Sequence, residues 1–350
     1  DIGYIALTTF TRNAGKNVED GLKKLKEENP NLKGVVFDLR GNGGGLLTEA
    51  VNVCNVFIPK NELVVTTKGK VKEWDRSFNT LNSPLDTDIP LAVLIDKNSA
   101  SASEIVCGVM QDYDRGVLLG QRSYGKGLVQ NTRDVGYNAK VKLTTAKYYI
   151  PSKRCIQSVE YDNGEPVHIP DDQRAIFETR NKRKVLDGGG VKPDILIEEK
   201  SEAALVQNLL RQNYIFDFVT DFCLKNKSIS AVEDFEFTDF SSFLKFLEEK
   251  DFSYSSESEK LLDKLNTTSE KEGYEIQPNV ESLKTSIENM KKGEIDEYKD
   301  VIIDLIEKEI ATRFYYQEGK IRMGLKNDEE IKEAVNILKD HNKYKTILQG

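Results

Sequence analysis

The chain has 350 residues, 38% hydrophobic and 31% charged, with 50 Lys and Arg against 58 Asp and Glu and a net charge of −8. That length admits two or three domains and a sizeable core, and the acidic balance argues against a general nucleic-acid binder, which needs a basic footprint. No apolar run approaches the ~20 residues of a membrane-spanning helix.

The opening segment, DIGYIALTTF, reads as a strand and lacks an initiator Met or signal peptide. A fragment or a mature form would begin so, which leaves an exported parent open. Next, GVVFDLR (34–40) is a predicted strand, GNGGG (41–45) a turn, and LLTEAVNVCNVFI (46–58) a helix with Leu46, Leu47, Ala50, Val51, Cys54 and Phe57 at helical spacing. The same logic repeats in LAVLID (91–96), KNSAS, and ASEIVCGVMQDYD (102–114). VLLG (117–120) and a strand-rich run follow, up to residue 151. Strand–helix–strand alternation predicts a largely parallel sheet with its ligand sites at the strand C-termini.

Composition changes near residue 200. Residues 1–200 hold 19 of 24 glycines and 8 of 9 prolines. These residues punctuate strands and turns, so 1–200 is expected to be one α/β unit and 201–350 a helical domain. EAALVQNLLRQNYIFDFVTDFCL, YKDVIIDLIEKEIATRFYYQ and DEEIKEAVNILKDH show amphipathic spacing, whereas SYSSESEK and NTTSEKEG read as polar connectors. The helical part carries no recognisable chemistry.

Several motifs in 1–200 carry chemistry. GQRSYGKG (120–127) matches G-x-x-x-x-G-K, but Gly127 stands where a phosphate loop has Ser or Thr, and LVQNTR beyond it reads as strand, so no helix N-terminus faces a phosphate. GNGGG lacks dinucleotide-binding spacing. It is either a tight turn or a source of backbone N–H groups at a helix start, able to hold a developing negative charge. In SASASE (99–104), Ser101 is either a helix N-cap with Glu104 three residues on, or a nucleophile at a strand-to-helix turn.

A serine nucleophile needs a base. The two histidines, His168 in a proline-bounded loop and His341 near the C-terminus, read as surface residues, which leaves lysine. A free Lys has a pKa of ~10.4, and burial lowers it by up to ~3–5 units. Lys126, between Gly125 and Gly127, has the backbone freedom to turn inward, with Tyr124, Leu128 and Val129 as a dry surround. The four cysteines, Cys54, Cys107, Cys155 and Cys223, lack zinc-ligand spacing and read as buried free thiols.

The ordered series GYIALTTF, GVVFDLRGNGGGLL, LIDKNSASASEIVCGVMQD, GQRSYGKGLVQ, LTTAKYYIPS and GGGVKPDI resembles the C-terminal processing peptidases, the tail-specific serine proteases, over residues 1–198. The resemblance implies a protease/crotonase-like α/β core with a mostly parallel sheet, followed by the all-helical domain. It also implies a serine endopeptidase acting near substrate C-termini through an acyl-enzyme, with Ser101 as nucleophile, Lys126 as general base and Gln130 positioning the lysine. The oxyanion hole maps to Gly44 and Ala102, with Gly45 as the neighbouring possibility. Asp112 recurs in the family and reads as half of a buried structural pair.

No metal or organic cofactor is expected. The implied partners are proteins or peptides with accessible C-terminal tails, neither nucleic acid nor a membrane span is expected in this chain, and a homo-oligomer is compatible. The implied location is the periplasm or cell envelope. The family usually carries a PDZ domain before the G-Y-I strand, where this chain starts. P-S-G-R reads Pro151, Ser152, Lys153, Arg154, with lysine for glycine. The competing function is a peptide-binding or scaffolding protein of the same fold with a silent site. One geometric demand stands out: on a straight strand Lys126 and Gln130 would lie ~13 Å apart at ~3.3 Å per residue, so a contact needs a bend after Gly127.

Overall fold

The computed structural model describes residues 1–162, 165–167, 169–198 and 203–350; His168 lies outside the described residues. The chain divides into two compact units, Asp1–Glu199 with Glu329–Gly350, and Lys200–Asp328.

The first unit begins β1 (Ile2–Ala6), α1 (Ala14–Glu28), β2 (Gly34–Asp38) and α2 (Leu47–Phe57). There follow β3 (Leu63–Gly69), β4 (Arg76–Asn79), β5 (Leu91–Ile95), α3 (Ala102–Asp112), β6 (Val117–Gly120), β7 (Leu128–Gly136) and β8 (Ala139–Tyr149). Two short hairpins, β9 (Glu160–Asp162) with β10 (Glu165–Val167) and β11 (Ile176–Glu178) with β12 (Lys184–Leu186), lead to β13 (Ile195–Leu196). The expected parallel sheet is present, with order β1-β2-β5-β6-β13 and every neighbour parallel. β2 and β5 are buried along their whole length, as strands covered on both faces are. The apolar sides of α1, α2 and α3 join them in one core that includes Leu22, Phe37, Phe57, Val106 and Met110. A separate antiparallel sheet, β4-β3-β8-β7, joins the pair of strands after α2 to the pair after the GKG segment.

The second unit holds α4 (Ala204–Arg211), α5 (Tyr214–Lys225), α6 (Phe240–Glu249), α7 (Glu257–Glu272), α8 (Gln277–Lys291), α9 (Glu294–Glu297) and α10 (Lys299–Leu325). Its core centres on Phe218, whose ring meets Phe237, Phe243 and Phe246 edge-on at 5.1–5.7 Å. Such T-shaped pairs add ~0.5–1.5 kcal/mol each beyond area burial. The mixed α/β core followed by a helical region agrees with the sequence reading.

Three details differ from it. SYSSESEK and NTTSEKEG are not connectors but the two ends of α7. Ser256 Oγ accepts the Glu259 N–H (3.2 Å) while Glu259 accepts the Ser256 N–H (2.6 Å), and Gly273 closes the helix at φ +82°. Only Ser269 is buried along α7, and its apolar set, Leu261, Leu262 and Leu265, covers little more than one turn, too short a stripe to announce the whole helix. The long amphipathic run at 202–224 is two helices, broken at Asn213 with φ +63°. Finally, α11 (Glu329–Lys339) and α12 (His341–Gln349) pack in the first unit. α11 lies against β2 and β5 through Ile331, Ala334, Ile337 and Leu338. In α12, the Tyr344 hydroxyl accepts the Leu91 N–H at 2.9 Å. Amphipathic spacing announces a buried face without saying what buries it.

The Pro151–Arg154 turn keeps a left-handed residue although glycine is replaced: Lys153 has φ +75° and donates its N–H to the Ile150 carbonyl (2.7 Å). A left-handed non-glycine residue costs ~1–2 kcal/mol, part of which a glycine gives back through the entropy of the unfolded chain. Lys153→Gly is therefore expected to stabilise the chain by about 0.5–1 kcal/mol in urea denaturation; a loss of stability would contradict the strain.

Candidate active site

The site forms where the loops after β2 and β5 meet, at the C-terminal ends of adjacent parallel strands. Asp96, just past β5, accepts the N–H groups of Gly41, Asn98 and Ser99 at 2.9–3.0 Å, and Ser99 Oγ donates to the Leu39 carbonyl (2.8 Å). Asn42, fully buried, completes the stitching. Its amide donates to the Leu7 carbonyl (2.6 Å), and its own backbone carbonyl accepts the Ala100 N–H (3.0 Å) and Ser103 Oγ (2.8 Å).

Ser101 opens α3 at φ 57°, ψ −111°, a conformation sparsely populated by any residue with a Cβ. A strained serine on a strand-to-helix turn is the arrangement of a nucleophile elbow, which lifts the hydroxyl clear of the backbone. Gly44 presses against this turn. A Cβ on Gly44 would lie 2.7 Å from the Ala100 carbonyl oxygen and 2.9 Å from Ser101 Cβ, and φ there is +98°, so only glycine allows the approach.

Three backbone donors were expected near Ser101. The Gly44 N–H is already engaged by Asn42 Oδ1 (2.9 Å). The N–H groups of Gly45 and Ala102 have no protein acceptor among the described residues. Ala102 is the first residue of α3, where the helix dipole adds positive potential.

Glu104 joins the elbow to the GKG segment. Its side chain is buried, yet it accepts four hydrogen bonds. Oε1 takes Ser123 Oγ (2.6 Å) and the Gly125 N–H (2.6 Å), while Oε2 takes the N–H groups of Ser101 (2.8 Å) and Lys126 (2.7 Å). Burial pushes its carboxyl above the usual carboxylate range against the pull of these donors. Ser123 Oγ in turn accepts the Val191 N–H (2.7 Å), anchoring the GGGVKP stretch. Gly127 is held through its N–H by Gln157 Oε1 (2.8 Å).

Lys126 itself departs from expectation. Its backbone is fixed beside Ser101, but its side chain is exposed, as is Tyr124, while Leu128 and Val129 are only partly covered. The dry surround anticipated for the lysine is not assembled by these neighbours, because β7 leaves the GKG segment as an edge strand. Gln130 is also exposed. The pairing of β7 with β8 shifts register between Val129 and Gln130, yet no hydrogen bond joins the Lys126 and Gln130 side chains.

Asp112 closes α3 about 16 Å from Ser101 at ~1.5 Å rise per residue. It pairs with buried Arg154 at 3.0 Å and accepts the Ser152 N–H (2.9 Å), and burial holds its carboxyl above the usual range despite the arginine. His341 is exposed at the start of α12. Cys54, Cys107 and Cys155 are free and buried, and Cys223 is half-buried. Among the described residues no cluster of three His, Cys, Asp or Glu is arranged to hold a metal ion. Sequence reading singled out neither Asn42, Asp96, Ser99 nor Ser123. Asn42 lies inside the motif already quoted, and its signal was an asparagine between glycines.

Residues 1–163 match the profile of peptidase family S41, and residues 205–338 match that of a probable PDZ-protease C-terminal helical domain. The resemblance drawn from the motifs therefore holds as a match to the peptidase family S41 profile over residues 1–163. The carboxy-terminal-processing protease of Bartonella bacilliformis is 41% identical over 161 residues, 45% of this chain and 37% of that protein. That of Synechocystis is 35% identical over 169 residues, 48% of this chain and 38% of that protein. The chain thus spans less than two fifths of the length of these relatives. Among solved structures, a photosystem II D1 C-terminal processing protease has a TM-score of 0.44 at 27% identity, over 56% of this chain and 42% of that one.

Replacing the Glu104 carboxylate by an amide turns an acceptor-only group into one that must set an NH2 against N–H donors. Glu104→Gln is expected to cost about 3 kcal/mol, within the range for breaking a buried charged network, read from urea denaturation. A change below about 0.5 kcal/mol, the size of an ordinary surface substitution, would contradict the network.

Proposed function

We propose that this chain carries the centre of a serine peptidase that hydrolyses protein substrates near their C-termini, with Ser101 as nucleophile and Lys126 as general base. The observation that carries the reading is the strained Ser101 turn, with Gly44 packed against it and the Lys126 backbone held by the same carboxylate oxygen that holds the Ser101 N–H. The neutral Lys126 amine takes the Ser101 Oγ proton as the oxygen attacks the peptide carbonyl. The N–H groups of Gly45 and Ala102 receive the resulting oxyanion; Gly44, whose N–H serves Asn42, shapes the loop instead. Collapse breaks the C–N bond, the Lys126 ammonium returns the proton to the leaving amine, and the acyl group stays on Ser101. Water, deprotonated by Lys126, then releases the acid.

Lys126 is exposed, so in this reading the bound substrate completes its dry surround, and Gln130 positions it only in that complex. The same exposure favours the second reading, a peptide-binding protein of this fold with a silent site. A periplasmic or envelope location rests on the resemblance alone; among the described residues no helix is long and apolar enough to cross a membrane.

A serine-directed fluorophosphonate separates the two readings. The unaltered chain is expected to label at Ser101, Ser101→Ala not at all, and Lys126→Ala about 10²–10⁴-fold more slowly, the usual contribution of a general base. Lys126→Arg should behave like Lys126→Ala because a guanidinium stays charged. Equal, low labelling of all four proteins would favour the silent site, and full labelling of Lys126→Arg would remove Lys126 as the base.

A further inference from the structure

Beyond Gln130 in β7, the catalytic reading gives the antiparallel sheet β4-β3-β8-β7 no part to play. Its strands with the connections between paired neighbours, residues 63–79 and 128–149, carry eight Lys and Arg against three Asp and Glu, in a chain whose net charge is −8. An acidic protein thus presents one basic sheet, and β7 starts two residues beyond Lys126. Internal ion pairs absorb only part of this charge: Lys147 meets Glu160 at 3.2 Å and Lys140 meets Asp134 at 3.4 Å.

A cavity of about 200 Å³ opens on this sheet, walled by Trp74, Arg76, Asn131, Arg133 and Thr145. The Arg133 guanidinium lies over the half-exposed Trp74 ring, 5.3 Å from its centroid. Arg76 Nη1 donates to the backbone carbonyls of Glu73 (2.7 Å) and Asp75 (2.8 Å). Both guanidiniums are held in place, and neither has a carboxylate partner among the described residues. A planar guanidinium fixed by stacking or by carbonyls is pre-organised for bidentate capture of a carboxylate. The cavity is smaller than the ~300–1,000 Å³ of pockets for whole small molecules, and it suits single side chains.

We propose that this sheet is the docking surface for an acidic stretch of the protein substrate, with Arg76 and Arg133 receiving Asp or Glu carboxylates beside Trp74. The proposal rests on the peptidase reading and names its substrate class. The cavity draws on β7 from Val129 to Arg133, three to seven residues beyond Lys126. An extended substrate rises at the same ~3.3 Å per residue, so its acidic residues fall roughly three to seven positions from the scissile bond.

The test titrates the Ser101→Ala chain, which binds without turnover, into a fluorescein-labelled unstructured peptide. The peptide carries Glu three to seven positions to each side of its central bond, and a control carries Gln there. The Glu peptide is expected to bind about tenfold more tightly at low salt, an advantage that shrinks near 0.5 M salt. Arg76→Glu with Arg133→Glu should transfer the preference to the corresponding Lys peptide. Equal affinity of the unaltered surface for the Glu and Gln peptides would overturn the proposal, however the charge-reversed variant behaves. Binding to phosphatidylglycerol vesicles without a Glu-over-Gln preference would assign the surface to membranes and overturn it too. Fluorophosphonate labelling of chains that retain Ser101, with and without the two reversals, should be equal. A failed docking proposal with intact labelling leaves the peptidase reading standing, whereas lost labelling in the unaltered chain defeats that reading instead.

Discussion

The arrangement of the site depends on one buried carboxylate. Glu104 accepts from Ser101, Ser123, Gly125 and Lys126, groups up to 25 positions apart in the chain. Three of these donors are backbone N–H groups in loops, where no helix or sheet ladder supplies an acceptor, and leaving one buried and unpaired costs about 1–3 kcal/mol. An acceptor-only group with two oxygens meets the requirement, and no neutral side chain of that length does. The strained Ser101 turn is affordable because this network, with Asn42, Asp96 and Gly44, over-determines it. The elbow and the lysine loop are therefore a single mechanical unit, although they stand on either side of α3 and β6.

Much of this was legible in the residues. The strands at 34–38, 91–95 and 117–120 are short continuous apolar runs bounded by Gly, Asn and Ser, and each lies where that pattern placed it. Ser101 stood out because S-x-x-E before an apolar helix permits both a cap and a nucleophile. The structure shows how the two are compatible, since Glu104 reaches the Ser101 backbone while the same carboxylate binds the GKG loop. A capping pattern is local, and nothing within six residues could announce that its glutamate also serves residues 123 to 126.

The failures share a physical cause. The burial expected of Lys126 rested on apolar neighbours in sequence, but Tyr124 and Lys126 lie exposed in the loop before β7, and Leu128 and Val129 open an edge strand that leaves them only partly covered. The preference of Gly44 over Gly45 as oxyanion donor could not foresee that Asn42 Oδ1 takes the Gly44 N–H. α7 was missed because its apolar residues, Leu261, Leu262 and Leu265, fill little more than one turn, and the rest of the helix is marked only by its capping box and closing Gly273. The return of α11 and α12 to the first unit is a tertiary choice among apolar faces, and period alone leaves that choice open.

The central claim is that Glu104 couples the Ser101 turn and the Lys126 loop, and amide hydrogen exchange of those residues tests it most directly. In the unaltered chain the N–H groups of Ser101, Gly125 and Lys126 should be protected together. In Glu104→Gln all three should exchange about 100-fold faster, the change expected for the loss of roughly 3 kcal/mol, while amides within β5 keep their protection. Retention of protection at these three positions in the variant, or its loss at one of them alone, would contradict the coupling.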